Sequence, residues 1–195
     1  APGVELKLEP AGALFEARVR GPNVTPGYWG DAALTRASFD ADGFYAMGDA
    51  LGLVEAGDPG QGFTFEGRLA EDFKLTSGTF VHVGPLRARF LEHFTPLARD
   101  VVITGEGRAD VGALIFPAGA TTLAALHERL MSFAAQSTGS SNRIARAMVL
   151  EDPPSLDSGE MTDKGSLNQR AVLARRAALV EELYRDPPSA RTIRV

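Results

Sequence analysis

Apolar and polar residues alternate along the first third of the chain with the period of two that marks half-buried strands. Val4-Glu5-Leu6-Lys7-Leu8 and Leu14-Phe15-Glu16-Ala17-Arg18-Val19-Arg20 follow this pattern, with Pro10-Ala11-Gly12 turning between them. They predict a hairpin with one wet face. Residues 21–27 are a loop by composition, and Asp31 is placed to cap a short helical turn at Ala32-Ala33-Leu34. Asp40-Ala41-Asp42-Gly43 reads as a turn. Residues 51–55 and 62–66 predict a second hairpin around Ala56-Gly57-Asp58-Pro59-Gly60.

Beyond residue 70 the periodicity changes. Residues 83–94 have helical spacing, with Leu86, Phe90 and Leu91 on one face and Arg87 and Arg89 off it. Residues 100–104 and 111–116 are near-continuous apolar runs and predict buried strands, joined by a hairpin loop over 105–110. A helix is expected over 121–135, where Leu123, Leu126, Leu130 and Phe133 recur at three or four. Residues 146–150 suit a short strand and 152–158 a loop. Residues 167–184 read as one amphipathic helix with Leu167, Ala171, Leu179 and Leu183 inward, and the tail from Asp186 as frayed. The expected fold class is α+β: a β-rich, barrel-like piece (1–66), a joint (67–70) and a small α+β domain (71–195). No Gly/Ser linker separates the pieces, so relative motion would fall on a few dihedrals at the joint.

Composition narrows the function classes. The 44% hydrophobic and 23% charged shares of these 195 residues suit a packed globular protein. A net charge of -5 argues against a general nucleic-acid partner. Without cysteine there is no disulfide framework and no thiolate chemistry. No apolar run is long enough to span a bilayer and the start is no signal peptide, so no membrane partner and a cytoplasmic location are expected. His82, His93 and His127 lack metal-ligand spacing, and no metal site is expected. Gly105-Glu106-Gly107-Arg108 lies between two strands, not between a strand and a helix as a dinucleotide fingerprint requires. Lysine is scarce: only Lys7, Lys74 and Lys164 among 20 cationic residues.

Three polar clusters remain as candidate chemistry. Phe44-Tyr45-Ala46-Met47-Gly48-Asp49 ends in a carboxylate that either caps a turn or accepts from two vicinal hydroxyls. Gly67-Arg68-Leu69-Ala70-Glu71-Asp72-Phe73-Lys74-Leu75-Thr76-Ser77-Gly78 packs cations, carboxylates and glycines into the joint. It reads either as a charged hairpin or as a ligand-facing segment whose Arg fork bridges oxygens. Glu160-Met161-Thr162-Asp163-Lys164-Gly165-Ser166-Leu167-Asn168-Gln169-Arg170 places Lys164 on a loop before the last helix, with Asp163 or Ser166 as N-cap. Lys164 is either a solvated loop residue or an ammonium that swings onto developing negative charge. Arg170, Arg175 and Arg176 read as a solvated face.

Taken together, in this order and spacing, the clusters resemble the C-terminal part of the adenylate-forming superfamily, which includes acyl-CoA synthetases, firefly luciferase and peptide-synthetase adenylation domains. Val19-Arg20-Gly21-Pro22-Asn23-Val24-Thr25-Pro26-Gly27-Tyr28-Trp29 is similar to its "G-x-x-V-x-x-G-Y" segment. Gly43-Phe44-Tyr45-Ala46-Met47-Gly48-Asp49 is similar to "G-W-x-x-T-G-D", with Met47 for the usual Thr. Residues 67–78 resemble the hinge segment, in the form with one extra residue after the Lys. The run from Ala70 to Val81 together with Val83-Gly84-Pro85-Leu86-Arg87 most resembles feruloyl-CoA synthetases, and Asp163-Lys164-Gly165-Ser166-Leu167-Asn168-Gln169-Arg170 resembles their C-terminal Lys motif. The resemblance implies an acid–thiol ligase using ATP with Mg2+ and CoA on an aryl, feruloyl-like carboxylic acid. It implies that Asp49 and Arg68 hold the ribose hydroxyls and that Lys164 is catalytic. It places Gly78 beside the CoA passage, Lys74 on the adenylate side and Ala70 at the hinge, where relatives commonly carry Asp or Lys. Gly165 follows the Lys, where relatives have Gly before it. The family's phosphate loop is nowhere in these residues. The expected reading is therefore a C-terminal fragment, inactive alone, whose first partner is the missing N-terminal domain. A non-catalytic binding module, or an enzyme with a carrier-protein or fatty-acyl specificity, is the alternative.

Overall fold

The computed structural model describes residues 2–119 and 121–195 and divides into two compact units, 1–70 and 71–195. The first is an antiparallel meander of β1 (Glu5–Ala11), β2 (Leu14–Arg20), β3 (Tyr45–Glu55) and β4 (Asp58–Arg68), in that spatial order. A short helix, α1 (Ala32–Ser38), precedes β3, and Asp31 caps it by accepting from the Leu34 N–H at 2.8 Å.

Alternation explains both faces of this sheet. Directly paired residues share a face. Leu6, Leu8 and Pro10 oppose Val19, Ala17 and Phe15, Phe15 in turn opposes Leu51, and Leu51 and Leu53 oppose Phe65 and Phe63. The other face is ionic. The Lys7 ammonium reaches Asp40 at 3.0 Å and Asp42 at 3.1 Å, and Arg18 reaches Asp40 at 3.2 Å. The Phe44 amide and the Lys7 ammonium hold the Asp40 carboxyl well below the usual carboxylate range. The barrel-like expectation gives way to an open sheet. β1 and β4 are its edges and do not pair, and four strands are too few to close around a core.

The second unit opens with a small hairpin, β5 (Phe73–Lys74) and β6 (Phe80–Val81), followed by α2 (Val83–Phe94). The main sheet has the order β10-β9-β8-β7, formed by β7 (Ala98–Thr104), β8 (Val111–Pro117), β9 (Ile144–Val149) and β10 (Thr192–Arg194). Its β8–β9 pair is parallel, bridged by the crossover helix α3 (Leu123–Ala135); the other pairs are antiparallel. The apolar runs in β7 and β8 are continuous because both sheet faces are covered. Val101, Ile103, Ala113 and Ile115 pack on the α2–α3 side, where Phe90 and Phe94 stack with centroids 3.8 Å apart beside Phe133. Val102, Leu114, Phe116 and Met148 pack on the opposite side under α4 (Gln169–Arg175) and α5 (Ala177–Leu183).

Two expectations fail here for local reasons. The single helix over 167–184 is two, because the chain leaves helical geometry at Arg176 (φ -101°, ψ 26°). Gln169, Val172 and Leu183 are the residues this segment buries, and Ala171 is not among them. The tail is not frayed: Thr192–Arg194 pairs with β9, and Ile193 and Val195 pack on the core.

Candidate functional site

Asp49 and Arg68 lie directly opposite each other on β3 and β4. Asp49 is thus inside a strand, with Gly48 before it at φ 71°. The Arg68 Nη1 lies 2.9 Å from Asp49 Oδ1 and donates to the Met47 carbonyl at 2.8 Å. The Asp49 side chain is only 16% exposed, and its Oδ1, though buried, accepts no hydrogen bond. A buried acceptor facing a cation without a satisfied bond is costly. The Arg68 charge 2.9 Å away offsets part of that cost. Nearby, the Tyr45 hydroxyl lies 3.0 Å from that of Tyr28, a pairing that raises the Tyr45 pKa.

Lys74 and Gly78 belong to the β5–β6 hairpin of the second unit. Leu75 N–H donates to the Thr79 carbonyl at 2.9 Å and Gly78 N–H to Leu75 at 2.9 Å, closing a three-residue loop. Such loops place their third residue in the left-handed region, and Gly78 sits there at φ 82°. Thr76 N–H donates to the Arg108 carbonyl and Gly107 N–H to that of Lys74, tying the hairpin to the β7–β8 loop. The exposed Lys74 ammonium lies 5.9 Å from the Phe80 ring centroid. A Cβ on Gly78 would meet nothing within 4 Å. Gly78→Ala is therefore expected to cost about 1 kcal/mol of unfolding free energy, from backbone geometry alone. Denaturant unfolding checks this; a loss several times larger would mean the loop is packed.

Two residues to which the sequence analysis gave no role here support this hairpin. Asp72, nearly buried, accepts from Val83 N–H at 2.9 Å, capping α2, while its other oxygen lies 2.8 Å from His82 Nδ1. A carboxylate at a helix N-terminus is favoured by the dipole. Ala70 is exposed, and the boundary between the compact units falls just after it.

Lys164 occupies the tip of a second three-residue loop. Thr162 N–H donates to the Ser166 carbonyl at 2.8 Å and Gly165 N–H to that of Thr162 at 2.8 Å. Gly165, at φ 78°, fills the left-handed third position, which explains a glycine after the Lys. The Lys164 ammonium is exposed and makes no hydrogen bond or ion pair with a described residue. Neither Asp163 nor Ser166 caps α4; Asn168 does, accepting from Ala171 N–H at 3.2 Å. Arg176, expected on a solvated face, instead grips buried Glu160 through two bonds of 2.8 and 2.9 Å. That pairing holds the Glu160 carboxyl below its ordinary pKa. The sequence carried no signal for this pair, since 16 residues separate the two and they share no helix face.

Asp49 and Arg68 are thus brought together in one unit, and in the other Lys74 ends β5, Gly78 closes the β5–β6 turn and Lys164 sits on a second turn. Among the described residues no group of three or more His, Asp or Glu is arranged to hold a metal ion, and no helix is long and apolar enough to cross a membrane.

An open antiparallel meander followed by an α+β unit, with exposed lysines on glycine-closed loops, defines the class that the family comparison makes specific. Residues 73–187 match the AMP-binding enzyme C-terminal domain, and the chain belongs to that family. It is 33% identical to a carboxylic acid reductase of Mycobacterium marinum over 88% of this chain, and 24% identical to a chloroplastic long-chain-fatty-acid–[acyl-carrier-protein] ligase of Arabidopsis thaliana over 90%. The chain spans 15% of the reductase's length and 26% of the ligase's. Among solved structures, the A domain of the Segniliparus rugosus carboxylic acid reductase, in complex with AMP and a co-purified carboxylic acid, superposes with TM-score 0.77 at 25% identity, covering 94% of this chain and 32% of that one. An anthranilate CoA ligase in complex with anthranoyl-AMP shares the fold with TM-score 0.71 at 19% identity, over 92% of this chain and 33% of that one. The sequence relatives are carboxylic acid reductases and an acyl-carrier-protein ligase, and the CoA ligase, at 19% identity, shows the fold alone, so the finer resemblance to feruloyl-CoA synthetases gains no support from them.

Proposed function

We propose that the chain is the C-terminal part of a larger adenylate-forming enzyme that activates a carboxylic acid as its acyl-adenylate and passes the acyl group to a thiol. The observation that carries this is the family match over 73–187, joined to an Asp49–Arg68 pair set 2.9 Å apart across β3 and β4. In the first step a substrate carboxylate oxygen attacks the α-phosphorus of ATP. The new acyl–phosphate bond forms as the bond to pyrophosphate breaks. Asp49 would accept from the ribose hydroxyls and Arg68 would hold them from the other side. Lys164 would meet the negative charge that grows on the phosphoryl oxygens. Mg2+ would arrive with the ATP phosphates rather than in a protein cage. In the second step the thiol sulfur attacks the acyl carbonyl and AMP leaves. Gly78 would line the thiol's approach, Lys74 would face the adenylate, and Ala70 would be the pivot between the two steps.

The thiol has two readings. Coenzyme A is one. A carrier-protein thiol is favoured by the relatives, which include an acyl-carrier-protein ligase and a carboxylic acid reductase solved as an A-PCP didomain. Offering both thiols to the full-length enzyme separates them.

The apolar face of the first unit fits this reading of a part within a larger whole. Leu6, Phe63 and Phe65 stand exposed on it, Phe65 at 66%, as a surface covered by the rest of the enzyme would. The 195-residue chain is expected to show no ATP–pyrophosphate exchange with benzoate or octanoate alone. The full-length enzyme is expected to show it with at least one carboxylic acid. Robust exchange by the 195-residue chain would overturn the proposal.

A further inference from the structure

Among the described residues the Lys164 ammonium has no hydrogen-bond or ion-pair partner, so its placement depends on the backbone that carries it. That backbone is a five-residue hairpin, and a hairpin of this size is marginal without an anchor. Its two feet are joined by a bridge between Met161 and Leu167 and by Asn168 N–H donating to the Glu160 carbonyl at 2.8 Å. At the first foot stands Glu160, with a side chain only 5% exposed. Arg176 holds both of its carboxylate oxygens, from Nε at 2.8 Å and Nη2 at 2.9 Å. The same guanidinium donates to the carbonyls of Asp152 (2.9 Å) and Pro153 (3.2 Å), where the loop leaves β9, and lies 5.1 Å from the Phe116 ring centroid. One side chain therefore ties the start of the loop, the foot of the Lys164 turn and the sheet together, from the position where α4 and α5 part. At the other foot Gln169, also buried, accepts from Ile103 N–H at 3.1 Å.

We infer that the Glu160–Arg176 pair is a positioning device: it fixes the stem of the Lys164 turn so that an otherwise unrestrained ammonium is delivered to one place. The inference rests on the catalytic reading of Lys164 given above. Stability alone is a weak reason for such a pair, because a buried ion pair is often no better than apolar residues of the same volume. Geometry is the stronger one, since a planar fork fixes direction as well as distance.

Arg176→Met and Glu160→Gln in the full-length enzyme test this. Adenylation is read by pyrophosphate exchange with benzoate or octanoate, whichever the wild type turns over. Transfer is read from the matching preformed acyl-adenylate to the thiol that the wild type accepts. Both variants are expected to slow adenylation by about 10²-fold, the effect of an ångström-scale misplacement, and to leave transfer within about threefold of wild type. Lys164→Ala combined with Arg176→Met should adenylate no more slowly than Lys164→Ala alone, because nothing is left to position. Transfer in the same preparation reports the folded fraction, and Glu160→Gln carries the comparison if Arg176→Met does not fold. Equal loss of both steps, or losses that multiply in the double variant, would show a merely structural pair. Adenylation slowed by Lys164→Ala but untouched by Arg176→Met and Glu160→Gln overturns the positioning role alone. Adenylation untouched by Lys164→Ala overturns the catalytic reading and the positioning role together.

Discussion

Lys164→Ala in the full-length enzyme is expected to slow acyl-adenylate formation by about 10²–10³-fold, with transfer from preformed acyl-adenylate nearly unchanged. The magnitude is that of removing one preorganised group aimed at charge that develops in the transition state. Selectivity between steps follows from when that charge exists. During adenylation the α-phosphoryl group carries both the entering carboxylate and the departing pyrophosphate. In transfer that phosphoryl group only leaves. A group that binds the transition state and not the ground state is seen in the rate constant, so kcat for adenylation should fall while KM for ATP moves little. The structure gives Lys164 the freedom this requires, because among the described residues no carboxylate pairs with its ammonium. Lys164→Arg is the informative partner: a wide planar fork in place of a compact ammonium should restore only part of the rate. Single-turnover measurements of the two half-reactions decide the matter. If both fall equally, Lys164 is not the adenylation residue.

What the sequence disclosed and what it hid divide along physical lines. Short-range periodicity was enough for the hairpin over β1 and β2, for the helix at residues 83–94, and for the paired strands β7 and β8, because each buries a face that repeats along the chain. Lys164 sits on a loop, as its flanking turn residues led one to expect, whereas the pairing of Asp49 with Arg68 across neighbouring strands was not foreseen. Long-range polar bonds were not legible. Arg176 looks like any helix-surface arginine until folding brings Glu160 beside it, and that contact accompanies the break in a helix whose apolar spacing is continuous. Asp72 and His82 hid in the same way, although both lie in or next to a stretch already singled out. The tail misled because three residues give no periodicity; only the exposed edge of β9 explains why Thr192–Arg194 is a strand. Barrel closure failed for a different reason. Alternation reveals that a sheet has an apolar face but not what lies on it.

That last point leads to a second large effect, on folding. The fragment 71–195 is expected to unfold cooperatively by itself, whereas the fragment 1–70 is expected to show no cooperative transition. Both faces of the β7–β10 sheet are covered, and its core includes fully buried Phe90, Phe94, Phe116 and Phe133. Burying each such ring contributes roughly 1.5–3 kcal/mol, enough in number to reach the ordinary 5–15 kcal/mol of a single domain after conformational entropy is met. Within the first unit the buried apolar residues are Ala17, Phe44 and Ala50, two of them methyl groups. Its sheet leaves one apolar face half open, and its other face relies on partly exposed ion pairs around Lys7, Arg18 and Asp40, which bury little apolar area. A piece of about 70 residues needs a better core than that to stand alone. Limited proteolysis of the 195-residue chain should accordingly trim it to a stable product beginning near residue 71. Phe90→Ala should destabilise that product by about 3–5 kcal/mol, the cost of emptying the centre of the aromatic stack. Calorimetry on the two fragments gives the direct comparison. A sharp, protein-like transition from 1–70 alone would mean that its apolar face is not awaiting a partner, and would remove one of the supports for placing this chain inside a larger enzyme.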